Sequence, residues 1–545
     1  MWFIWLLRSD IRDGAAPTDQ NAQRDFIAWW LLWGHSEYPS VFLSNRKHDQ
    51  IAMELLTLKN GLQCPRLLLR LHSARADLQR LFPLRSPGDL ACYFWWYLYN
   101  APIELPVTPS LPTPCLDLIT KVAGSGLPWG RIAAHIGAGR RSCTTARTAR
   151  ARPRHTYAKN GVNLIGFARR PSGLGEDLRS ISEAFRAVGL PHVVVDIDSD
   201  GDRTGSDINT HMPLSECPHY ATSIYCMSAF DAAALHVRRS RDFFHEPLRI
   251  GYWPWELPAF PDIWADVYHL VDEIWTGSEF SAQAYRTNCR KPVNCLPAPV
   301  IVPAVAPKGV PGIRPGKFVF TYAFDPNSYL KRKNPVALVH AFRSAFPSSE
   351  HGVALLLRAN GRIPDRRQRH ALFQAIGSDR RITVAEQTLE RTEALALTAS
   401  CHCLVSPHRA EGFGRNIAEA ILLQVPVLAT AYSGCMDFLE PEERLSFVPT
   451  KVGLGDYPFA ENLMWADPDI TDMAAKMKLA PTRGRRGTHN ERQRLAARAR
   501  KFARNYAPQP AGLRFLDRLT DLGGVLDKQG LQRFPLVHTT PATGY

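Results

Sequence analysis

Hydrophobic residues follow two alternating patterns along most of this 545-residue chain. From residue 161 onward, short apolar runs alternate with segments in which apolar residues return every three or four positions. The first such unit consists of NLIGF, the glycine turn PSGLGE, the segment DLRSISEAFRAVG and a second apolar run, HVVVDID. A strand, a helix and a second strand in this order predict a parallel β-sheet.

A group of prolines divides the alternating strands and helices into two series. The apolar runs LRIGYW, EIWTGS and VNCLPAPV precede the break, and KFVFTYAF, VALLLRAN, RITVAE, CHCLVSP and PVLATAY follow it. The interrupting prolines are Pro297, Pro299, Pro303 and Pro311. We therefore predict an α/β fold of two doubly wound, Rossmann-like domains, residues 161–310 and 311–525, facing each other across a cleft, with a tail over residues 526–545. Ligands are expected at the carboxyl ends of the strands.

Residues 1–110 have helical patterning and an internal repeat. At an offset of 66 or 67, RSDI at Arg8 recurs as RADL at Arg75, FIAWW at Phe26 as CYFWW at Cys92, and EYP at Glu37 as ELP at Glu104. Such repetition rarely arises by chance. We predict a small α-helical module with two tryptophan-rich repeats, whose paired tryptophans form a core between helices. A docking module for a partner or acceptor is the alternative.

The two ends of this module are also predicted from composition. The apolar start, MWFIWLLRSD, lacks a basic segment and a small-residue cleavage site, so we expect a folded helix rather than a signal peptide. After the module, PVTPSLPTP is proline-rich, and the Arg/Ala/Thr/Gly stretch that follows shows little periodicity. Residues 111–160 are therefore predicted to be a poorly ordered Pro/Arg-rich linker.

Charge and cysteine content narrow the class of protein. The net charge of +15 favours anionic partners, but no helix-turn-helix, zinc-finger or RNP-type motif is present, so nucleic acid is not an expected partner. The eleven cysteines lack the spacing of a zinc site and predict a reducing, cytoplasmic environment with no bound metal. No apolar run reaches the length of about 20 residues that a spanning helix needs. Basic surface and tryptophans predict, at most, peripheral association with an anionic membrane.

The segment HRAEGFGRNIAEAI carries the strongest chemical pattern. It follows the apolar run CHCLVS and opens a helix near Asn416. Gly412 and Gly414 allow the backbone to approach a ligand closely, and the N–H groups of the first helical turn form a site for a diphosphate. On either side, Glu411 and Glu419 can accept hydrogen bonds from sugar and ribose hydroxyls. An acid–base pair for glycoside hydrolysis is the alternative, but it leaves the phosphate-binding loop without a role.

EGFGRNIAEA followed by PVLATAYSGCMDFL resembles the C-terminal signature of glycosyltransferase family 4, in which seven residues separate two glutamates. The resemblance implies a GT-B fold, a nucleotide-sugar donor, retention of anomeric configuration, and no obligatory metal or other cofactor. It also implies that Glu411 contacts the donor sugar and Glu419 the ribose, and that the diphosphate is bound by the amides of Phe413, Gly414, Arg415 and Asn416. Arg415 departs from the family, which often has an apolar residue there.

Other segments fit the same resemblance. In FDPNSYLKRKNP, Lys333 and then Arg332 are the candidates for neutralising the leaving diphosphate, although the family's glycine-arginine pair after the strand is absent. In RRPSGLGEDLR, Gly173 and Gly175 match the glycine-rich loop near the donor phosphates. The basic segment NERQRLAARARKFARNYAPQPAGLRFLDRL is implied to be helical and to cross back to the first domain.

The acceptor half of the site is predicted from WPWE, which follows an apolar run. Trp253, Trp255 and Glu256 are candidates for binding an acceptor sugar through stacking and hydrogen bonds, and an aromatic plug of the domain core is the alternative. Ser278 in TGSEFS is either a helix N-cap or a binding residue.

Together these features predict a retaining glycosyltransferase that moves a sugar from a nucleotide-sugar to a glycan or lipid-linked acceptor. Front-face displacement, implied by the resemblance, needs no protein base, so charge stabilisation and positioning supply the rate enhancement. The alternative is a non-catalytic sugar- or nucleotide-binding protein with a degenerate GT-B core, which the incomplete basic loop favours. A GT-B epimerase or phosphorylase is a third interpretation, but no lysine set for a pyridoxal cofactor is identifiable.

Overall fold

A computed structural model of the protein describes residues 2–8, 19–34, 37–38, 46–105, 109–123, 157–197, 212–239, 242–460, 462–483 and 489–523. The chain forms two compact units. The first comprises residues 1–156 and 233–243, and the second comprises residues 157–232 and 244–545. Most of the predicted linker and the whole predicted tail lie outside the described residues.

The first unit is mainly helical. A β-hairpin pairs Leu55–Thr57 with Gln63–Pro65 in antiparallel register. The helix Gln20–Trp29 continues as a π-helical turn over Trp30–Gly34. The other helices among the described residues span Trp2–Leu7, Arg46–Ala52, Arg66–Ala74, Ala76–Leu81, Pro87–Glu104 and Thr113–Ala123.

Two pairs of helices in this unit begin 67 residues apart, close to the offset of the predicted repeat. Helices begin at Gln20 and again at Pro87, and at Arg46 and again at Thr113. The guanidinium carbon of Arg8 lies 5.4 Å from the ring centroid of Trp29, and that of Arg75 lies 5.8 Å from the ring centroid of Trp96. The two arginine–tryptophan contacts are also 67 residues apart, so Trp29 pairs in sequence with Trp96 rather than with Trp95.

The predicted linker is wrong at its beginning. Thr113–Ala123 is a helix that buries Cys115 and Ile119, which are 2% and 3% exposed. Proline is tolerated in the first turn of a helix, where its missing N–H has no partner to lose, so the prolines here mark a helix start rather than an extended chain. The segment 124–156 lies outside the described residues.

The second unit contains two parallel sheets, which confirms the doubly wound GT-B fold. The strands of the first sheet are, in spatial order, Leu214–Ser215, His192–Asp196, Ala158–Gly166, Tyr220–Cys226, Leu248–Tyr252, Glu273–Thr276 and Val293–Cys295. The strands of the second are Ile382–Glu386, Val353–Ala359, Phe318–Phe324, Cys403–Ser406, Val427–Thr430 and Arg444–Leu445.

Helices cover both sheets and bury their apolar stripes on the strands. Those associated with the first sheet are Gly173–Ala187, the 3-10 helix Asp262–Leu270 and Glu279–Arg286, and a further helix, Ala229–Arg239, begins in the second unit and continues into the first. Those of the second are Leu330–Lys333, Pro335–Ala345, Arg366–Ile376, Arg391–Ala399, Arg415–Leu422, the 3-10 helices Gly434–Asp437 and Pro441–Glu443, Ile470–Arg483 and His489–Tyr506. An antiparallel hairpin, Phe447–Lys451 with Met464–Pro468, precedes Ile470–Arg483.

The last described helix, Pro508–Asp521, packs on the first sheet, as the resemblance implies. Phe515 is fully buried, with its ring centroid 5.7 Å from that of Phe185 in the helix Gly173–Ala187. Arg518 forms an ion pair at 2.7 Å with the buried Glu273 of the first sheet. Within the described residues, no helix has the length and hydropathy to cross a membrane.

Candidate functional site

A cavity of about 900 Å³ lies between the two sheets, at the carboxyl ends of their strands. Both domains contribute to it, because the loops that follow Ala158–Gly166, Leu248–Tyr252, Phe318–Phe324 and Cys403–Ser406 all meet there. The predicted site residues that line it are Gly173, Trp255, Glu256, Arg332, Lys333, Glu411, Gly412, Phe413, Gly414, Arg415, Asn416 and Glu419. Gly175 and Trp253 do not line it.

The loop before the helix Arg415–Leu422 is shaped for an anion. Gly414 adopts a left-handed conformation with φ of 90°, which a residue with a side chain rarely adopts, and it turns the chain into the helix. Among the described residues, no partner accepts a hydrogen bond from the backbone N–H groups of Phe413 to Asn416. Free amides at the positive end of a helix dipole bind phosphate groups.

Contacts from Gly434, which lies outside the loop, hold this loop in place. The amide of Gly434 donates to the carbonyl of Glu411 at 2.9 Å. A Cβ on Gly434 would lie 2.6 Å from the carbonyl carbon of Gly412, so only glycine permits this approach. Sequence reasoning missed Gly434, although SG after the buried strand PVLATAY is a signal for a tight turn.

Ser278 caps a helix and also contacts the loop. Its hydroxyl accepts from the amide of Ser281 at 3.2 Å and donates to the carbonyl of Gly412. The hydroxyl of Ser281 lies 2.5 Å from the carbonyl oxygen of Trp255 and 3.3 Å from that of Gly412. Two serines of the first domain therefore fix the position of the donor loop of the second.

A short basic turn supplies the cations of the site. Tyr329 and Asn334, with φ of 59° and 53°, flank the helix Leu330–Lys333 and orient its side chains. Lys333 contacts the carboxylate of Glu411 directly. Burial acts to raise the pKa of Glu411, but Lys333 and Arg332 outweigh it and bring the pKa down to about 2. Glu411 is therefore ionised at neutral pH.

Arg332 lies deeper than the sequence prediction implied. Its side chain is only 2% exposed, and Nη1 donates to the carbonyl of Ala410 at 2.7 Å. Its guanidinium lies 3.3 Å from Glu411 and 3.4 Å from Glu256. Arg332 therefore fixes the two carboxylates, while Lys333 is the cation nearer to the open cavity.

His408 is a buried neighbour of this cluster that sequence reasoning missed. Its Nδ1 lies 2.9 Å from the hydroxyl of Ser406, and its Nε2 lies 3.2 Å from the carbonyl oxygen of Tyr432. Burial lowers the pKa of His408 to about 4, so the ring is neutral at physiological pH.

Two arginines of the second domain pair with acidic residues of the first. Arg415 forms an ion pair with Asp177, which explains how a charged side chain is accommodated where the family often has an apolar one. Arg391 lies 2.9 Å from Glu176 and 3.0 Å from Glu419. Glu176 and Asp177 lie in RRPSGLGEDLR, but Arg391 belongs to no recognisable motif, so the sequence did not indicate that these residues are close together.

The two predicted glycines of the first domain have different roles. Gly173 lines the cavity and has nothing within 4 Å of its Cβ position, so it leaves space open there. A Cβ on Gly175 would lie 2.8 Å from the carbonyl oxygen of Phe167. Gly175 therefore serves the tight packing of strand and helix rather than contact with the donor.

The prediction for WPWE is only partly compatible with the structure. Trp253 is fully buried, and its ring packs 6.3 Å from that of Tyr285, so it cannot stack on an acceptor. Trp255 is 3% exposed and donates its ring N–H to the carbonyl of Ala259 at 2.9 Å. The tryptophans thus form the aromatic plug of the alternative interpretation, since both side chains are used in packing.

Glu256 does face the cavity. Its carboxylate accepts a hydrogen bond from the hydroxyl of Tyr457, whose ring lies 4.6 Å from that of Tyr329. Tyr457 comes from the loop between the two strands of the hairpin, and Tyr329 is 44% exposed. This tyrosine pair forms a wall of the cavity that the sequence did not indicate.

Comparison with known proteins connects these features to a family. Residues 285–507 match the family model "Family 4 Glycosyltransferase in conflict systems". No curated protein matches the sequence. HepE of Anabaena, solved in complex with UDP and glucose, is 14% identical, covers 66% of this chain and 100% of its own, and gives a TM-score of 0.47. Sucrose-phosphate synthase from Thermosynechococcus elongatus is 17% identical over 67% of this chain and 99% of its own, with a TM-score of 0.46.

WaaG, a glycosyltransferase involved in lipopolysaccharide biosynthesis, is 15% identical over 66% of this chain and 99% of its own, with a TM-score of 0.43. The matched segment contains Lys333, Glu411 and Glu419, and it ends at Ala507, directly before Pro508. Over residues 285–507 the chain is similar to the family 4 glycosyltransferases described from conflict systems.

Proposed function

We propose that this protein is a retaining glycosyltransferase that transfers a sugar from a nucleotide-sugar to a glycan or lipid-linked acceptor. The observation that carries the proposal is the row of four unbonded amides at Phe413 to Asn416, with Glu411 before it and Glu419 one turn after it. Glu411 then contacts the donor sugar, the amides bind the diphosphate and Glu419 accepts from the ribose.

Departure of the nucleoside diphosphate is the step that these residues favour. Negative charge grows on the leaving phosphate as its bond to the sugar breaks. The amides and the ammonium of Lys333 are already in place to stabilise that charge, without reorganisation at the moment of reaction. Glu411, kept ionised by its two cations, orients the sugar and stabilises positive charge that develops on it. The departing phosphate takes the proton of the acceptor, so no protein base is required.

The acceptor side is proposed to lie at Glu256, where the carboxylate and the tyrosine pair Tyr329 and Tyr457 border the cavity. A carboxylate together with an aromatic face suits a sugar, which offers hydroxyls on its edges and C–H groups on its faces. We infer further that the reaction takes place in the cytoplasm, with peripheral membrane contact where the acceptor is lipid-linked, and that it needs no metal.

The test is a panel of nucleotide-sugars with release of nucleoside diphosphate as the readout. Lys333→Met should lower the rate with the accepted donor by about 100-fold or more, because one preorganised charge-stabilising group is lost. Lys331→Met is the matched control, since Lys331 lies two residues earlier with an exposed side chain, and it should retain the wild-type rate. Equal rates for the two variants would refute the role of Lys333. Binding of UDP or GDP without release from any donor would favour the non-catalytic alternative.

A further inference from the structure

A single guanidinium connects the predicted ribose carboxylate to the first domain. Arg391 is the first residue of the helix Arg391–Ala399, and its side chain borders the cavity. Nη1 donates to Oε1 of Glu419 at 3.0 Å. Nη2 donates to the carbonyl of Ile301 at 2.8 Å and lies 2.9 Å from Oε1 of Glu176. The planar group is thereby held by three partners: Glu419 of the second domain, Glu176 of the first domain, and Ile301, which follows the last strand of the first sheet.

The two carboxylates depend on Arg391 to different degrees. Glu176 also pairs with Arg179 at 3.0 Å, so it keeps a cation when Arg391 is removed. Glu419 has no second ion pair within the described residues, and it is 8% exposed. An ionised carboxylate at that depth needs a partner, because water no longer compensates its charge. Arg391 therefore matters most to Glu419.

We propose that Arg391 is the positioning residue that holds the carboxylate of Glu419 in the orientation that the donor ribose requires. The inference rests on the proposed function, because it assumes that Glu419 accepts hydrogen bonds from ribose hydroxyls. An arginine suits this task because its fork is rigid and permanently charged, and because Glu176 and Ile301 fix the plane of the fork from the opposite side. Within the part of the chain that the structure describes, only Oε1 of Glu419 has a hydrogen-bond partner, so Oε2 is available to the ligand.

The consequence is that the ribose contribution to binding should depend on Arg391. That contribution is measured as the ratio of two dissociation constants, for a 2′,3′-dideoxyribonucleoside diphosphate and for the matching ribonucleoside diphosphate. Hydrogen bonds to a charged acceptor give a wild-type ratio of about 10 or more. Glu419→Gln, which removes the charge of the acceptor, should reduce the ratio to about 3 or less.

The experiment is isothermal titration of the full chain with UDP and GDP, and then with the dideoxy counterpart of the one that binds. Arg391→Met should reduce the ratio to the Glu419→Gln level, and Arg391→Lys should recover part of it, because a lysine restores the charge. Arg494→Met is the matched control: it removes an arginine–glutamate pair at 2.8 Å on the helix His489–Tyr506, and the ratio should stay at its wild-type value. Where Arg391→Met does not fold, as judged by circular dichroism, Arg391→Gln replaces it with the same expectation.

The outcomes distinguish the role of Arg391 from the ribose contact of Glu419. A wild-type ratio in Arg391→Met, together with a collapsed ratio in Glu419→Gln, overturns the role of Arg391 and leaves the proposed function intact. Loss in Arg391→Met without any recovery in Arg391→Lys also overturns it, because charge is then not the cause. An unchanged ratio in Glu419→Gln, or no nucleotide binding by the wild type, refutes the ribose contact itself.

Discussion

The close approach of Gly434 to Gly412 makes the donor loop sensitive to a single methyl group. In Gly434→Ala the new Cβ would lie 2.6 Å from the carbonyl carbon of Gly412 and 2.8 Å from the hydroxyl of Ser278, where ordinary contacts begin at 3.4 Å. Relieving the contact with the carbonyl carbon alone requires a shift of about 0.8 Å (3.4 minus 2.6), and the carbonyl oxygen of Gly412 lies closer still, so the loop must move by at least that much. The obstacle is backbone on one side and a buried serine on the other, so rotation of a flexible side chain cannot absorb it.

That displacement moves the amides that are proposed to bind the diphosphate. A shift of about 1 Å in a positioning group can lower a catalytic rate by about 100-fold. Loss of one or two amide bonds to a charged phosphate lowers affinity by about 10-fold or more each. We therefore expect Gly434→Ala to bind the nucleoside diphosphate at least about 10-fold more weakly and to turn over the donor about 100-fold more slowly.

Titration calorimetry and donor turnover measure these effects, and thermal unfolding shows whether the fold is retained. Gly88→Ala is the matched control, because Gly88 lies in the helix Pro87–Glu104 and only the hydroxyl of Ser86, at 3.6 Å, is near its Cβ position. A folded Gly434→Ala protein whose affinity and turnover stay within about twofold of the wild type would refute this account of the loop.

Two further predictions concern pH and metal. Because the pKa of His408 is lowered to about 4 from an ordinary value of 6.5, the unfolded chain binds the proton more readily, and the free energy of unfolding should fall as pH falls from 6.5 to 4. The loss of unfolding free energy from this one group is on the order of 3 kcal/mol. Urea unfolding at a series of pH values should show this loss in the wild type and not in His408→Asn. The same pH dependence in both proteins would contradict the prediction. Turnover is expected to survive exhaustive chelation with EDTA, and a loss that magnesium restores would show that a metal assists the diphosphate.

The donor half of the site could be predicted because its information is local in sequence. Glu411, the two glycines and Glu419 lie within nine consecutive residues, and the strand before and the helix after them fix their relative placement. The parallel fold was also predictable, because the hydrophobic periodicity identifies each strand and helix. Lys333 could be placed because its loop follows a strand in the same sheet.

What could not be predicted depends on tertiary packing. Trp253 and Trp255 flank a proline after a strand, and nothing local distinguishes a tryptophan that faces the cavity from one that packs on Tyr285. The ion pairs of Arg391 with Glu176 and of Arg415 with Asp177 join segments more than 200 residues apart, so no spacing rule reveals them. Thr113–Ala123 was missed because prolines were interpreted as an extended linker, although they are also favoured at helix starts.

The return of Pro508–Asp521 to the first sheet has a consequence for synthesis of the chain. Phe515 and Leu519 are fully buried in the same apolar cluster as Val162 and Leu164 of the central strand. These groups are separated by some 350 residues, so the first domain emerges from the ribosome long before the side chains that complete its core. Contacts of such separation are formed late. During translation an apolar face of the first domain therefore stays exposed until residue 519 has left the ribosome. A chaperone that binds this face would act in that interval.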